Sequence, residues 1–174
     1  MAGTAYNCAL ARAAGTAEFT FYPKSTGMSS LYADLADEQA VLTTVLQNQV
    51  RRGERELELL LDHADDYLAE RFKAQTFTCP LRPLSDVIAE AGVERIDLLK
   101  VDVQKAELDV LLGLADADWP KVRQVVVEVH DTAGRLAHLS QMLAERGFQV
   151  TTDQEALYAG SAIYLLYGTR PGGA

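Results

Sequence analysis

Two short segments of this chain end in groups able to bind or move charge. In IDLLKVDVQKAELDVL, Ile96 to Leu111, an apolar run stops at Lys100 and Asp102 and then turns helical. In VRQVVVEVHD, Val122 to Asp131, a β-branched run ends in Glu128, His130 and Asp131. Residues at i and i+2 share one face of a strand, so Lys100 sits beside Asp102 and Glu128 beside His130. An imidazole next to a carboxylate is a proton acceptor with a group to orient it. A lysine inside a buried strand is costly unless paired, which assigns Lys100 to Asp102 or Glu128.

Both runs read as buried parallel strands, and open α/β sheets bind ligands beyond the carboxyl ends of their strands. Asp102 and the turn Val103-Gln104-Lys105 therefore fall where a ligand would sit. Leu108, Leu111 and Leu112 share one face of the helix that follows, so the two strands and that helix form a right-handed βαβ unit. Ahead of it the pattern predicts a strand over 17–22 and a loop over 23–30, whose Ser29 and Ser30 can touch a ligand. Two helices follow within 31–72, broken at Gly53, the second with a solvated charged face that carries His63. A short strand over 73–78 leads to a helix within 80–92, with Pro83 in its first turn and Gly92 closing it. A helix over 135–147 and two antiparallel strands over 148–152 and 162–167 close the chain.

The chain has 174 residues, 48% of them hydrophobic, enough for one domain with a sizeable core. A formal net charge of −9 argues against a nucleic-acid groove, which is built from clustered Lys and Arg. Cys8 and Cys79 read as buried free thiols, and His63, His130 and His138 lack metal-ligand spacing, so no metal site is expected. No apolar run is long enough to cross a membrane and no basic-then-apolar leader opens the chain, which predicts a cytoplasmic protein.

The two charged segments, with their lead-in TCPLRPLSDVIAEAGVER, resemble the C-terminal half of FkbM-type S-adenosylmethionine-dependent methyltransferases. The likeness is strongest to O-methyltransferase domains embedded in polyketide synthases and nonribosomal peptide synthetases. It implies an α/β fold, the Rossmann-like class I methyltransferase sheet, with strands in the order three, two, one, four, five, seven, six. AGTAYNCALARAAGTAEFTFYP, after Met1, looks like the third strand and a short hairpin. The first two strands and their glycine-rich turn are then lacking, and residues 1–174 form a single partial, N-terminally truncated domain. Within it, 31–72 looks like a helical insertion, a lid or carrier-protein contact over the active-site mouth. The apolar edge Ile96 to Val101 should seek a partner: the missing N-terminal segment in trans, a second copy, or the third strand sliding across.

The resemblance also implies roles. Asp102, with Val103 and Gln104, meets the aminoacyl end of the cofactor, and Asn7 and Cys8 lie by its adenine. His130 is the base that takes a hydroxyl proton, Glu128 orients it, and Lys100 holds its acidic neighbours charged. Gln104 and Lys105 stand where many members have a small or acidic residue and a glycine. The implied activity is O-methylation of a carrier-tethered polyketide or peptide intermediate, with S-adenosylmethionine bound incompletely by this chain alone. The rival expectation is a non-catalytic methyltransferase remnant kept as a structural or interaction domain. A weaker one, a domain for another nucleotide, lacks a phosphate loop.

Overall fold

The β-branched run ending at His130 forms the centre of a four-stranded sheet in the computed structural model, which describes residues 3–171. A second sheet gathers the start of the chain. In it β1 (Ala9–Leu10) pairs in parallel with β3 (Gln75–Arg82), which pairs antiparallel with β2 (Gly15–Phe21), giving the order β1-β3-β2. The expected hairpin is therefore absent: β3 lies between β1 and β2, because the 53 residues after β2 return an eight-residue strand that pairs with all seven residues of β2. That strand runs to Arg82, well beyond the expected 73–78. Met1 and Ala2, the start of the segment read as a third strand, lie outside the described residues.

Between β2 and β3 come three α-helices. Asp34 caps α1 (Leu35–Arg51), its carboxylate accepting from Ala36 and Asp37 N–H, a contact contributing about 1 kcal/mol. Gly53 ends it with φ +106°, a conformation that favours glycine. The expected second helix is two: α2 (Glu58–Asp62) and α3 (Ala64–Arg71), interrupted at His63, whose φ of −120° and ψ of 34° are not helical. Leu68 and Phe72 bury against Tyr22, tying α3 to the end of β2.

The second half is built on β4 (Leu99–Val101), β5 (Gln124–His130), β6 (Gln149–Asp153) and β7 (Ile163–Thr169), in the order β4-β5-β7-β6. β4 and β5 are parallel, joined by α5 (Glu107–Leu112), and β7 is antiparallel to both β5 and β6. α4 (Leu84–Glu90) precedes this unit, with Pro83 just before its first residue and Gly92 at φ +61° after it. α6 (Arg135–Glu145) lays Leu139, Met142 and Leu143 on the sheet against Val125, Val127 and Val129. Each such side chain, fully removed from water, contributes roughly 1.5–3 kcal/mol. Asp131, the last acid of the β5 run, accepts from Leu136 N–H at 3.0 Å and so steadies the start of α6. No helix among the described residues is long and apolar enough to cross a membrane.

β4 departs from expectation. It spans three residues at the sheet edge, and only alternate side chains are inside: Val101 is buried, while Leu98 is 55% exposed and Lys100 is also exposed. Apolar composition suggested burial on both sides, but the face bearing Leu98 and Lys100 is exposed. β1 does not slide across to β4; it stays on β3. The two sheets meet instead at Gly113, after α5, where a Cβ would stand 2.3 Å from the Ala11 carbonyl oxygen. No residue larger than glycine fits that crossing without backbone movement.

Candidate functional site

The turn after β4 is held in a conformation that L-residues seldom adopt. Gln104 has φ +48° and Lys105 φ +78°, the second at the position where the family resemblance implies glycine. Several contacts outweigh that strain. The Ser30 hydroxyl donates to the Gln104 carbonyl and accepts from Tyr32 N–H at 2.9 Å. Lys105 N–H donates to Glu107 Oε1 at 2.7 Å. Lys105 Nζ, nearly buried, lies 3.5 Å from Asp37 and 3.6 Å from Glu38 at the start of α1. These are ion-pair distances without hydrogen-bond geometry. Thus the loop after β2 and the first turn of α1 both clamp the turn that follows Asp102.

Its effect is to aim Gln104 between two acids. Gln104 Nε2 is 3.5 Å from Asp102 Oδ1, on the end of β4, and 3.5 Å from Glu128 Oε1, on the neighbouring strand. Burial, and secondarily the Asp102 charge, push the Glu128 carboxyl above the usual carboxylate range. Lys100 Nζ donates to Asp102 Oδ2 at 2.9 Å, and that bond raises the lysine above its ordinary value. The pairing of Lys100 with Asp102 is as expected, but its setting is not: the Lys100 side chain is 64% exposed, so no buried charge is being compensated.

A cavity opens on each side of this turn. One, of about 380 Å³, is lined by Cys8, Ala9 and Leu10 of the β1 segment, by Phe19, Ser29 and Leu31, and by Asp102, Val103 and Ala106. The other, of about 220 Å³, is lined by Gly27 and Met28, by Val41, Leu42 and Val45 of α1, and by Gln104, Glu128, Tyr158 and Ile163. A larger groove of about 560 Å³ along α6 takes in none of the strand-end acids.

The structure therefore gathers Cys8, Ser29, Asp102 and Val103 at one cavity and Gln104 and Glu128 at the other. Asn7 is exposed and lines neither. Ser29 Oγ accepts from Tyr22 N–H at 3.0 Å, and the buried Ser30 is spent on the turn. His130 is buried, and its ring is held by a residue that the sequence reading did not single out. Glu107, fully buried on α5, places Oε1 3.0 Å from His130 Nδ1 and Oε2 3.1 Å from Arg135. So Glu107, not Glu128, orients the imidazole. A signal was present: Glu107 lies on the stripe 107-110-111-114, and its companions Val110, Leu111 and Leu114 are all buried apolar residues.

The sequence profile of the methyltransferase FkbM domain matches residues 1–150. The chain is 48% identical over 161 residues to the AMB antimetabolite synthetase AmbE of Pseudomonas aeruginosa, covering 88% of this chain and 8% of that protein. It is 38% identical over 173 residues to the 31-O-demethyl-FK506 methyltransferase FkbM of Streptomyces tacrolimicus, covering 99% of this chain and 64% of that one. It is 34% identical over 158 residues to methyltransferase sdnD of Sordaria araneosa, covering 86% of this chain and 55% of that one. The chain thus spans less than two thirds of the length of each of these relatives. No solved structure matches it.

Proposed function

Since the chain belongs to the FkbM methyltransferase family, we propose that it is the C-terminal part of an S-adenosylmethionine-dependent O-methyltransferase domain. One observation carries this reading: adjacent parallel strands bring Asp102 and Glu128 to either side of Gln104, with a separate cavity beside each acid. Transfer of a methyl group to a hydroxyl needs two binding sites that meet, together with a proton acceptor. The strand order β4-β5-β7-β6 supports the four-five-seven-six half of a Rossmann-like class I sheet.

The residues beside Asp102 fit the cofactor's chemistry. Leu10, Phe19, Leu31 and Val103 offer an apolar cradle for a ring, and Asp102 offers a carboxylate to a cationic group. The volume lies within the roughly 300–1,000 Å³ of small-molecule sites. When bound, the cofactor supplies an electrophilic methyl group on a sulfonium. Gln104 keeps Asp102 and Glu128 apart while bonding to both, and β5 carries two groups able to accept a proton, His130 and Glu128. Among the described residues no glycine-rich turn between a strand and a helix adjoins this cavity. In our reading that part of the cradle is supplied from outside this chain, and residues 1–174 are one partial domain with 31–72 as its lid.

The acceptor is proposed to be a hydroxyl on a carrier-tethered polyketide or peptide intermediate. The name of the synthetase AmbE supports the assembly-line setting, and that of the FK506 enzyme supports oxygen as the methylated atom. Calorimetric titration with S-adenosylhomocysteine, with and without a peptide supplying the glycine-rich turn, tests this. Binding in either arm is the expected result, and binding in neither favours the remnant reading.

A further inference from the structure

The cavity roofed by α1 is polar at one end and apolar around the rest. Gln104 donates toward Glu128, and the Tyr158 phenol is pushed up by its own burial and then by the Glu128 charge. Val41, Leu42, Val45 and Ile163 make the apolar wall. At about 220 Å³ the space falls below the roughly 300–1,000 Å³ of ordinary small-molecule sites, so it admits the end of a molecule and not a nucleoside or a macrocycle. His130 is not among the lining residues. Its Nδ1 is tied to Glu107, and Glu107 is tied to Arg135.

Resting on the methyltransferase reading, we propose that this cavity is the acceptor pocket for a short aliphatic segment carrying one hydroxyl, and that Glu128, not His130, receives the hydroxyl proton. The acceptor O–H bond breaks and its proton passes to a Glu128 oxygen. The oxygen's electron pair forms a bond to the methyl carbon, and the S–C electron pair stays on the sulfur of the methylsulfonium donor. Tyr158 and Gln104 are positioning residues, one beside the acceptor oxygen and the other holding the carboxylate.

The groups acting on Glu128 are Asp102 and Lys100 from β4, Gln104 from the turn, His130 on its own strand and Tyr158 from the loop before β7. Asp102 and burial oppose its ionisation, while His130, Gln104 and Lys100 favour it. A neutral carboxyl can no longer accept the proton, so acceptor binding through an ionised Glu128 weakens as pH falls through its raised value.

The test titrates 2-pentanol into the chain, read by NMR of the Ile163 methyl groups across pH, beside calorimetry with S-adenosylhomocysteine. Three results are expected: 2-pentanol shifts Ile163, Val45→Phe weakens it by about tenfold or more by filling the pocket, and Glu128→Gln removes the pH dependence. Should Val45→Phe not fold, Leu42→Ala enlarges the pocket, and 2-heptanol then gains over 2-pentanol. Where transfer is measurable, Glu128→Gln lowers kcat/KM on the order of 10²–10⁴-fold, and His130→Gln keeps the acidic limb of the profile. No shift at Ile163, unchanged affinity in the filled variant, or a pH dependence that survives Glu128→Gln overturns the proposal. Binding of 2-pentanol with no binding of S-adenosylhomocysteine, with or without the peptide supplying the glycine-rich turn, upholds the pocket and sinks the methyltransferase reading; the reverse pattern overturns the pocket alone.

Discussion

Glu107 Oε1 sits 3.0 Å from His130 Nδ1, joining α5 to the end of β5 through a fully buried carboxylate. Arg135 completes the contact from α6, so one side chain locks three elements. Glu107→Ala leaves a half-buried arginine and a buried imidazole without this carboxylate. Chemical denaturation is expected to show a loss of about 3–5 kcal/mol.

Lys105 combines a left-handed backbone with a nearly buried ammonium. Glycine relieves the backbone and alanine does not, although both delete the ion pairs to Asp37 and Glu38. Lys105→Gly is therefore expected to be more stable than Lys105→Ala by about 1 kcal/mol. Equal stabilities in parallel urea titrations would show that the turn carries no strain.

Asn48, buried on α1, donates through Nδ2 to the carbonyls of Leu157 and Ala159, both at 2.9 Å. It is the pin between the α1 roof and the segment bearing Tyr158. Asn48→Ala leaves two carbonyls without that donor and costs about 1–3 kcal/mol. Hydrogen exchange is expected to quicken over 154–162 while β5 stays protected.

Glu128 has a folded-state pKa above its unfolded value. The native state then holds more protons across the window between those values, so this group's contribution falls as pH rises through it and is unfavourable above it. Glu128→Gln is expected to be more stable than the parent at neutral pH, with the gap closing as pH drops below the ordinary carboxylate range. Thermal melts from pH 3 to 8 read this directly. A residue kept at a cost in stability fits a group held for its chemistry.

How much of this was legible in the sequence depended on whether neighbours or the chain itself set the outcome. β5 and α6 were readable because β-branched runs and a helical apolar stripe leave few alternatives. Asp102 and Glu128 were readable as strand ends because parallel sheets put sites there. The exposure of Lys100 was not, since an apolar strand looks the same whether one or both faces are covered. The insertion of β3 between β1 and β2 was equally hidden, because pairing across 50 residues leaves no local pattern. The partner of His130 was sought two residues away on its own strand, but the nearest acid in space came from 23 residues upstream. Strand periodicity reports which side chains share a face; it says nothing of what an adjacent helix presents.

The glycine at 113 gives the two sheets a shared point of no clearance. Ala11 and Gly113 belong to distant stretches of chain, yet neither can change shape without the other. Domain shuffling, in nature or in the laboratory, must therefore respect that junction. A chimera that takes its opening segment from one relative and its β4-to-β7 half from another will assemble only if the backbone around position 11 and the glycine at 113 match. Recombination breakpoints among viable hybrids should avoid separating mismatched versions of these two positions.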